Sequence, residues 1–533
     1  MPRTLLIVLG VVALALVVAI PIARRHMQAE TEMTYKHGVR AAFAAISAML
    51  AGSGPVLAVP PTTIGVGLSQ PTYFLRTRTL ANLAAAANWG ASDHRKLGPE
   101  EVDNNGNIKR VPDGVALYRL MTSPNVGARA VTIRCTWKGK GIFKPVGRRV
   151  QNVSYGTRTF TLTMNNDQSG GQSGGNVMLN VASVDPSDPI RDIDCREPDL
   201  PANARFDPQY VDSLRGFKVI RFMDWQNTNQ NMPVTWATRR LPNAIDTTNA
   251  DGVAIEDMIA LAKQAGADPW FNMPWNADDE YYERFARLVH DTLPADRTVY
   301  VELANEVWNM AFPVSRQALE EGKAAKLSSN DYAAGLYRYA EKTAHVMDIW
   351  AKVYADRPGK LVRVAACQNG PSCPSEVLGY RDTARHVDAL ATAPYFGGRL
   401  SREPFTTADE VFARIDAEID WTLDLALKAK EVAARYHKRY ITYEAGQHLV
   451  YRDQALEEQV ERDPRMYNAY KRYLEIWRTK IGDTITLFQS SGPISRYGAW
   501  GLVEYVGQPL SEAPKMRAVR DEMAHANGNG TAH

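Results

Sequence analysis

Two glutamates carry most of the chemistry this sequence offers. The stretch TVYVELANEVWN, Thr298 to Asn309, reads as an apolar strand that ends in Asn305–Glu306, with Trp308 just beyond. A carboxylate has no place in a packed core unless something pairs with it. Glu306 is therefore either a structural charge or a group delivered to a site. A second apolar strand, in RYITYEAG, ends in Glu444. Two carboxyl groups facing one another can divide acid–base and nucleophilic work. One is kept protonated by burial or by its neighbour's charge and gives up a proton, while the other attacks.

The elements that must position this pair follow a regular alternation. From Arg205 onward, strands beginning at Phe217, Asp268, Thr298, Leu361, Val387 and Arg439 alternate with helices, and SRYGAWGLVE (Ser495–Glu504) reads as the strand that closes the series. TITLFQS (Thr484–Ser490) reads as part of the connection before it. TTIGVGL (Thr62–Leu68) supplies a first strand, followed by a helix over RTLANLAAAANWG (Arg78–Gly90). Helical periodicity and stop signals place further helices over Gly252–Gly266, Asp279–Leu293, Asn330–Tyr354, within Thr407–Tyr436, and over Met466–Lys480. Eight strands alternating with helices give an α/β fold, a (β/α)8 TIM barrel. Residues 101–201 break the rhythm. Short strands divided by Gly, Asn, Asp and Pro turns predict an inserted antiparallel β-sandwich. The expected division is an N-terminal export segment at 1–58, the first strand and helix at 59–100, the insertion at 101–201, the rest of the barrel at 202–515 and a tail at 516–533. Glu306 then ends strand four and Glu444 strand seven, across the C-terminal mouth where such barrels place chemistry.

Two rim carboxylates facing one another are what glycoside hydrolysis requires, about 5 Å apart when the second forms a covalent intermediate. At this point the sequence resembles the clan A glycoside hydrolases, the cellulase-like barrels, through VELANEVWN and TYEAG. The resemblance implies Glu306 as acid/base and Glu444 as nucleophile of a retaining enzyme acting on β-linked polysaccharide or oligosaccharide. It also matches Arg221 in VIRFMDW, Tyr395 in ATAPYF and Trp500 in YGAWG to an Arg in strand two, an aromatic near the end of strand six and a Trp in strand eight. Val307 departs from the Pro that many members carry after the acid/base. The wording also looks like poorly characterised bacterial proteins labelled cellulose-binding. A barrel that binds carbohydrate without turnover is thus the alternative from another class.

Each residue has an expected role. Asn305 can donate to a sugar 2-hydroxyl, Arg221 and Tyr395 can hold Glu444, and Trp500 can floor the sugar that reacts. Trp225, Trp275 and Trp308 sit at rim positions and can stack on neighbouring sugars, with core packing as the plainer reading. Glu302 shares strand parity with Glu306 and reads as structural. His448 reads as a loop histidine, and Asp278 and Asp279 as helix-start residues.

Composition narrows the classes. The chain has 533 residues, a net charge of +3 and no basic block, which gives no support for a nucleic-acid partner. No ligand cluster suggests a metal, and the expected mechanism needs no cofactor. A nucleophile elbow is missing, which sets aside a doubly wound α/β hydrolase. Four cysteines, Cys135, Cys195, Cys367 and Cys373, permit the bridges 135–195 and 367–373, with free thiols as the alternative. Leu5–Ala23 is apolar and long enough to span a bilayer, and Met33–Ala58 has the layout of a cleavable signal peptide. Both place the body outside the cytoplasm, periplasmic or extracellular. Leu5–Ala23 could also serve as an inner-membrane anchor.

Overall fold

A computed structural model describes residues 59–526, apart from 74, 76, 104, 123–129, 166–176, 243–251, 452 and 496. The two N-terminal segments, residues 166–176 of the expected insertion and the end of the tail lie outside the described residues. Among the described residues, no helix is long and apolar enough to cross a membrane.

Eight parallel strands form one sheet in the order Arg439–Thr442, Ala389–Thr392, Leu361–Ala366, Val299–Leu303, Asp268–Met273, Val219–Arg221, Thr62–Gly67 and Asp483–Leu487. The two strands at the ends of this order meet through side chains, and just beyond them Phe488 N donates to Ala445 O. Thr486 N donates to Thr442 Oγ1 at 2.8 Å, and the Thr442 hydroxyl lies 3.4 Å from Thr486 O. The result is a nearly closed (β/α)8 barrel. Its strands are apolar on both faces because both are covered. Trp270, Tyr300, Val362, Val364 and Ile441 pack inside the ring. Phe222, Phe271, Leu303 and Leu390 pack outward in the larger core shared with the helices.

Local signals set the helix ends. Asp278 caps Asp279–Thr292 by accepting from Tyr281 N, and Asn330 caps Asp331–Val353 by accepting from Ala333 N. Thr407 and Glu410 form a reciprocal capping box at the head of Ala408–Arg435. Gly266 ends Ile255–Ala265 at φ +70°, where a side chain would be strained.

Two expected elements differ. The eighth barrel strand is Asp483–Leu487, not Ser495–Glu504. The latter has apolar residues in the right rhythm, but Gly498 at φ +137° breaks an extended run. Its backbone instead pairs with the chain leaving strand eight: Gln489 N donates to Trp500 O and Leu502 N to Gln489 O. The helix expected over Arg78–Gly90 is absent, and residues 81–87 form turns. Ala81, Leu83, Ala84, Ala85, Ala86 and Ala87 are all buried, so the segment has no polar face to offer water. Its backbone donors go elsewhere, Ala81 N to Arg205 O and Leu83 N to Cys195 O. Pro514–Ala526, placed at the start of the tail, is a helix packed on Arg465–Ile476.

The segment between the first two barrel strands contains two four-stranded antiparallel sheets. One runs Trp89–Ala91, Leu117–Met121, Val177–Val184, Gly141–Val146, and the other Val150–Gly156, Thr159–Met164, Val131–Lys138, Arg191–Arg196. They share a core in which Trp137 meets Phe143 edge-on at 5.0 Å. Both bridges form. Cys135–Cys195 joins directly opposed residues of neighbouring strands, and Cys367–Cys373 closes the short loop after strand five.

Candidate active site

The barrel brings its buried charges together at one end. Arg221, the last residue of its strand, is 1% exposed and is the hub. It donates Nη1 to Glu444 Oε1 at 2.6 Å, Nη2 to Asn305 Oδ1 at 2.8 Å, and Nε and Nη2 to Glu302 at 2.9–3.1 Å. Burial alone would lower the guanidinium's proton affinity, but the charges of Glu302 and Glu444 outweigh it. Glu302 is structural, as its parity suggested. It lies wholly inside the ring and also accepts from Trp270 Nε1 at 3.0 Å.

Glu444 follows the seventh strand. Besides Arg221 it receives the Tyr395 hydroxyl on Oε2 at 3.0 Å. Burial, then the charges of Glu444 and Glu306, hold the Tyr395 phenol well above its usual range, so it stays a donor. Glu306 follows the fourth strand and is 9% exposed, with Oε1 accepting from Tyr443 Oη at 3.0 Å and Oε2 from Asn309 Nδ2 at 2.7 Å. Burial and then the charge of Glu444 push its carboxyl up to about 7, against the pull of Asn309 and Tyr443. The chain reaches this arrangement through a strained turn. Ala304 and Glu306 sit at φ +55° and +45°, a conformation that costs non-glycine residues about 1–2 kcal/mol each. The turn is held by Ala304 N donating to Met273 O and by Asn272 Nδ2 donating to Ala304 O at 2.7 Å.

Asn305 is fixed at both ends of its amide, since Nδ2 donates to Asn229 Oδ1 at 3.0 Å. That leaves one amide hydrogen for a ligand. Trp308 is half-buried and donates Nε1 to Tyr443 Oη at 3.2 Å. Trp500, also half-buried, meets His448 at 5.6 Å, and His448 meets Tyr395 at 5.4 Å. Tyr395, which donates to Glu444, thus touches His448, and His448 touches Trp500. His448 therefore belongs to the site's wall, more than its loop position suggested.

Two expected aromatic platforms lie elsewhere. Trp225 is fully buried, donates Nε1 to Ser69 O and packs among Phe206, Tyr210 and Phe222. Trp275 is 1% exposed, donates to Glu321 at 3.1 Å and lies under Lys342. Strand-end position is the same for a rim and a core tryptophan, and here the apolar core outside the ring claims both.

Sequence reasoning missed Tyr443, Asn309, Asn229 and Asp224. Tyr443 directly precedes Glu444, and Asn309 follows Glu306 by three residues, so both were within the quoted motifs. Asp224 borders the site. Burial, then the charge of Glu444, push its carboxyl up to about 7, while Arg221 pulls the other way. Among the described residues no group of His, Cys, Asp and Glu is arranged to hold a metal ion.

No protein-family model and no curated protein matches the chain. Several solved structures do. An α-L-arabinofuranosidase from Thermotoga maritima is 14% identical, over 58% of this chain and 63% of that one, with a TM-score of 0.37. A GH51 arabinofuranosidase from Xanthomonas axonopodis pv. citri is 11% identical, over 55% and 62%, with a TM-score of 0.33. A family 1 β-glucosidase from Thermotoga maritima is 12% identical, over 61% and 86%, with a TM-score of 0.36. The chain spans less than two thirds of the length of these arabinofuranosidases. Likenesses this slight carry no function, which must be read from the site.

Proposed function

We propose that the protein is a retaining glycoside hydrolase for β-linked polysaccharide or oligosaccharide, with Glu306 as acid/base and Glu444 as nucleophile. The observation that carries this reading is the unequal treatment of two carboxyls at one barrel mouth. Glu444 is held by the Arg221 cation as well as the Tyr395 hydroxyl, as an attacking carboxylate should be, whereas both donors to Glu306, Tyr443 and Asn309, are neutral. Glu306 is pushed up to about 7 and can hold a proton near neutrality.

In the first step Glu306 passes its proton to the glycosidic oxygen while a Glu444 oxygen attacks the anomeric carbon. The bond from that carbon to the leaving oxygen breaks and a glycosyl ester forms on Glu444. In the second step Glu306, now a carboxylate, takes a proton from water, the water oxygen attacks the same carbon, and the ester bond breaks. Asn305 has a free amide hydrogen for the 2-hydroxyl, and Trp500 offers an apolar face beside His448. Export, and a sandwich module at 101–201 that braces the barrel or shapes the cleft, complete the reading.

The test is turnover on a panel of aryl β-glycosides and polysaccharides, with the product anomer followed by NMR. Retention with loss of hydrolysis in Glu444→Ala supports the proposal. Inverted product defeats the covalent route. Glycan binding without turnover in wild type favours a carbohydrate-binding barrel.

A further inference from the structure

The two candidate catalytic segments brace each other crosswise. Asn305 precedes Glu306 but is bonded to Arg221, the residue that holds Glu444. Tyr443 precedes Glu444 but donates to Glu306. We propose that Tyr443 is a positioning residue for the acid/base: its phenol, loaded by Trp308, fixes the Glu306 carboxyl and steadies it as the carboxylate that takes the proton from water.

The hydrogen-bond inventory supports this direction. A phenol has one hydrogen. Tyr443 Oη accepts Trp308 Nε1–H at 3.2 Å, so its own hydrogen is directed to Glu306 Oε1 at 3.0 Å. Asn309 occupies Oε2 at 2.7 Å. Each carboxylate oxygen thus has one donor, and the pair fixes the plane of a side chain whose backbone is already constrained at φ +45°. The phenol itself cannot wander. Tyr443 is fully buried, and the Arg221 guanidinium lies 5.1 Å from its ring centre. Burial, then the charges of Glu306 and Glu444, keep it protonated and therefore a donor. The other charged or titratable groups that bear on this pair are Arg221 and Glu302 inside the ring and Tyr395 from the sixth strand's end.

A donor that favours the carboxylate opposes burial and Glu444, which favour the acid. Tyr443 would then keep Glu306 able to exchange its proton in both directions, where burial alone would leave it permanently protonated. The catalytic half of this inference rests on the glycosidase reading. The hydrogen bond and its effect on Glu306 do not.

The experiment is carbon-detected NMR titration of the full chain labelled at glutamate carboxyls, with Glu306 assigned through Glu306→Gln. Tyr443→Phe should raise the Glu306 midpoint by about one pH unit, and Trp308→Phe should raise it by less. The alkaline limb of kcat/KM should move up with it in each variant. A folded Tyr443→Phe whose midpoint stays in place or falls overturns the proposal. Should Tyr443→Phe not fold, Trp308→Phe decides: an upward shift supports the proposal and an unchanged midpoint overturns it. If wild type hydrolyses no glycoside yet the midpoints move as stated, the glycosidase reading fails and the role of Tyr443 toward Glu306 stands.

Discussion

Arg221 reaches Glu444 at 2.6 Å with one nitrogen while its other two hold Glu302 at the floor of the same chamber. One cation thus serves a carboxylate wholly inside the ring and another that meets the substrate in the proposed reaction. Removing it should leave two buried carboxyls without compensation, at a cost of about 3–5 kcal/mol. Arg221→Met is expected to melt well below wild type and to be inactive. Pairing it with Glu302→Gln should recover part of the melting temperature but no turnover, as measured by calorimetry and hydrolysis in parallel.

The raised proton affinity of Glu306 has a direction in stability as well as in rate. The folded chain holds this proton up to about 7, whereas an unfolded glutamate releases it near 4.5. The contribution is therefore complete below pH 4.5, shrinks as pH rises to 7, and is lost above it. Measured against Glu306→Gln, wild type should lose about 3 kcal/mol between pH 4.5 and 8. Over the same upper range kcat/KM should fall as the general acid loses its proton. Denaturant titrations at four or five pH values would reveal a flat difference if the assignment is wrong.

Tyr395 donates to the second oxygen of Glu444. Tyr395→Phe should lower kcat by about 10- to 100-fold with little change in melting temperature, because the lost bond acts on a charge that changes during the reaction. A rise of the same size in KM, with kcat unchanged, would instead place Tyr395 in substrate binding.

Trp500 packs between His448 at 5.6 Å and Phe488 at 6.0 Å. Its replacement by Ala is expected to raise KM by about tenfold, the weight of one sugar-stacking face. Unchanged KM would assign the ring to loop packing.

The Cys135–Cys195 bridge spans 60 residues and lies within one antiparallel sheet. Its loss in a double Ala variant should cost about 4 kcal/mol in the loop-entropy picture. Activity at low temperature should be kept. A matching loss of kcat would show that the two antiparallel sheets shape the site.

The ring of strands and the two glutamates were legible because both rest on backbone periodicity and on strand ends. What failed depended on contacts that periodicity does not encode. Asp483–Leu487 is short and follows a π-turn at Trp477–Ile481, so it looked like the end of a connection. Ser495–Glu504 kept a strand-like rhythm because Leu502 and Val503 fill the core from a loop. The Ala-rich segment after the first strand had the propensity of a helix, but its donors found partners far along the chain, at Arg205 and at Cys195 in the neighbouring sheet. Trp225 and Trp275 follow strand ends while Trp500 lies on the loop after strand eight, and only packing tells the three apart. Tyr443 was hidden for the opposite reason. A buried tyrosine beside a glutamate is ordinary in sequence, and its importance lies in facing a different glutamate on another strand.

The side-chain stitch between Thr442 and Thr486 gives the ring a weakest staple. Seven of its joints are main-chain ladders, whereas this one is held by the Thr442 hydroxyl, the Arg439–Asp483 ion pair and one main-chain bond from Phe488 N to Ala445 O just past the strands. If the cylinder breathes, it should unzip there first, so the strand bearing Glu444 has a loose hem on one side. Thr442→Val would test that: amide exchange should quicken at Thr486 before anywhere else in the barrel wall.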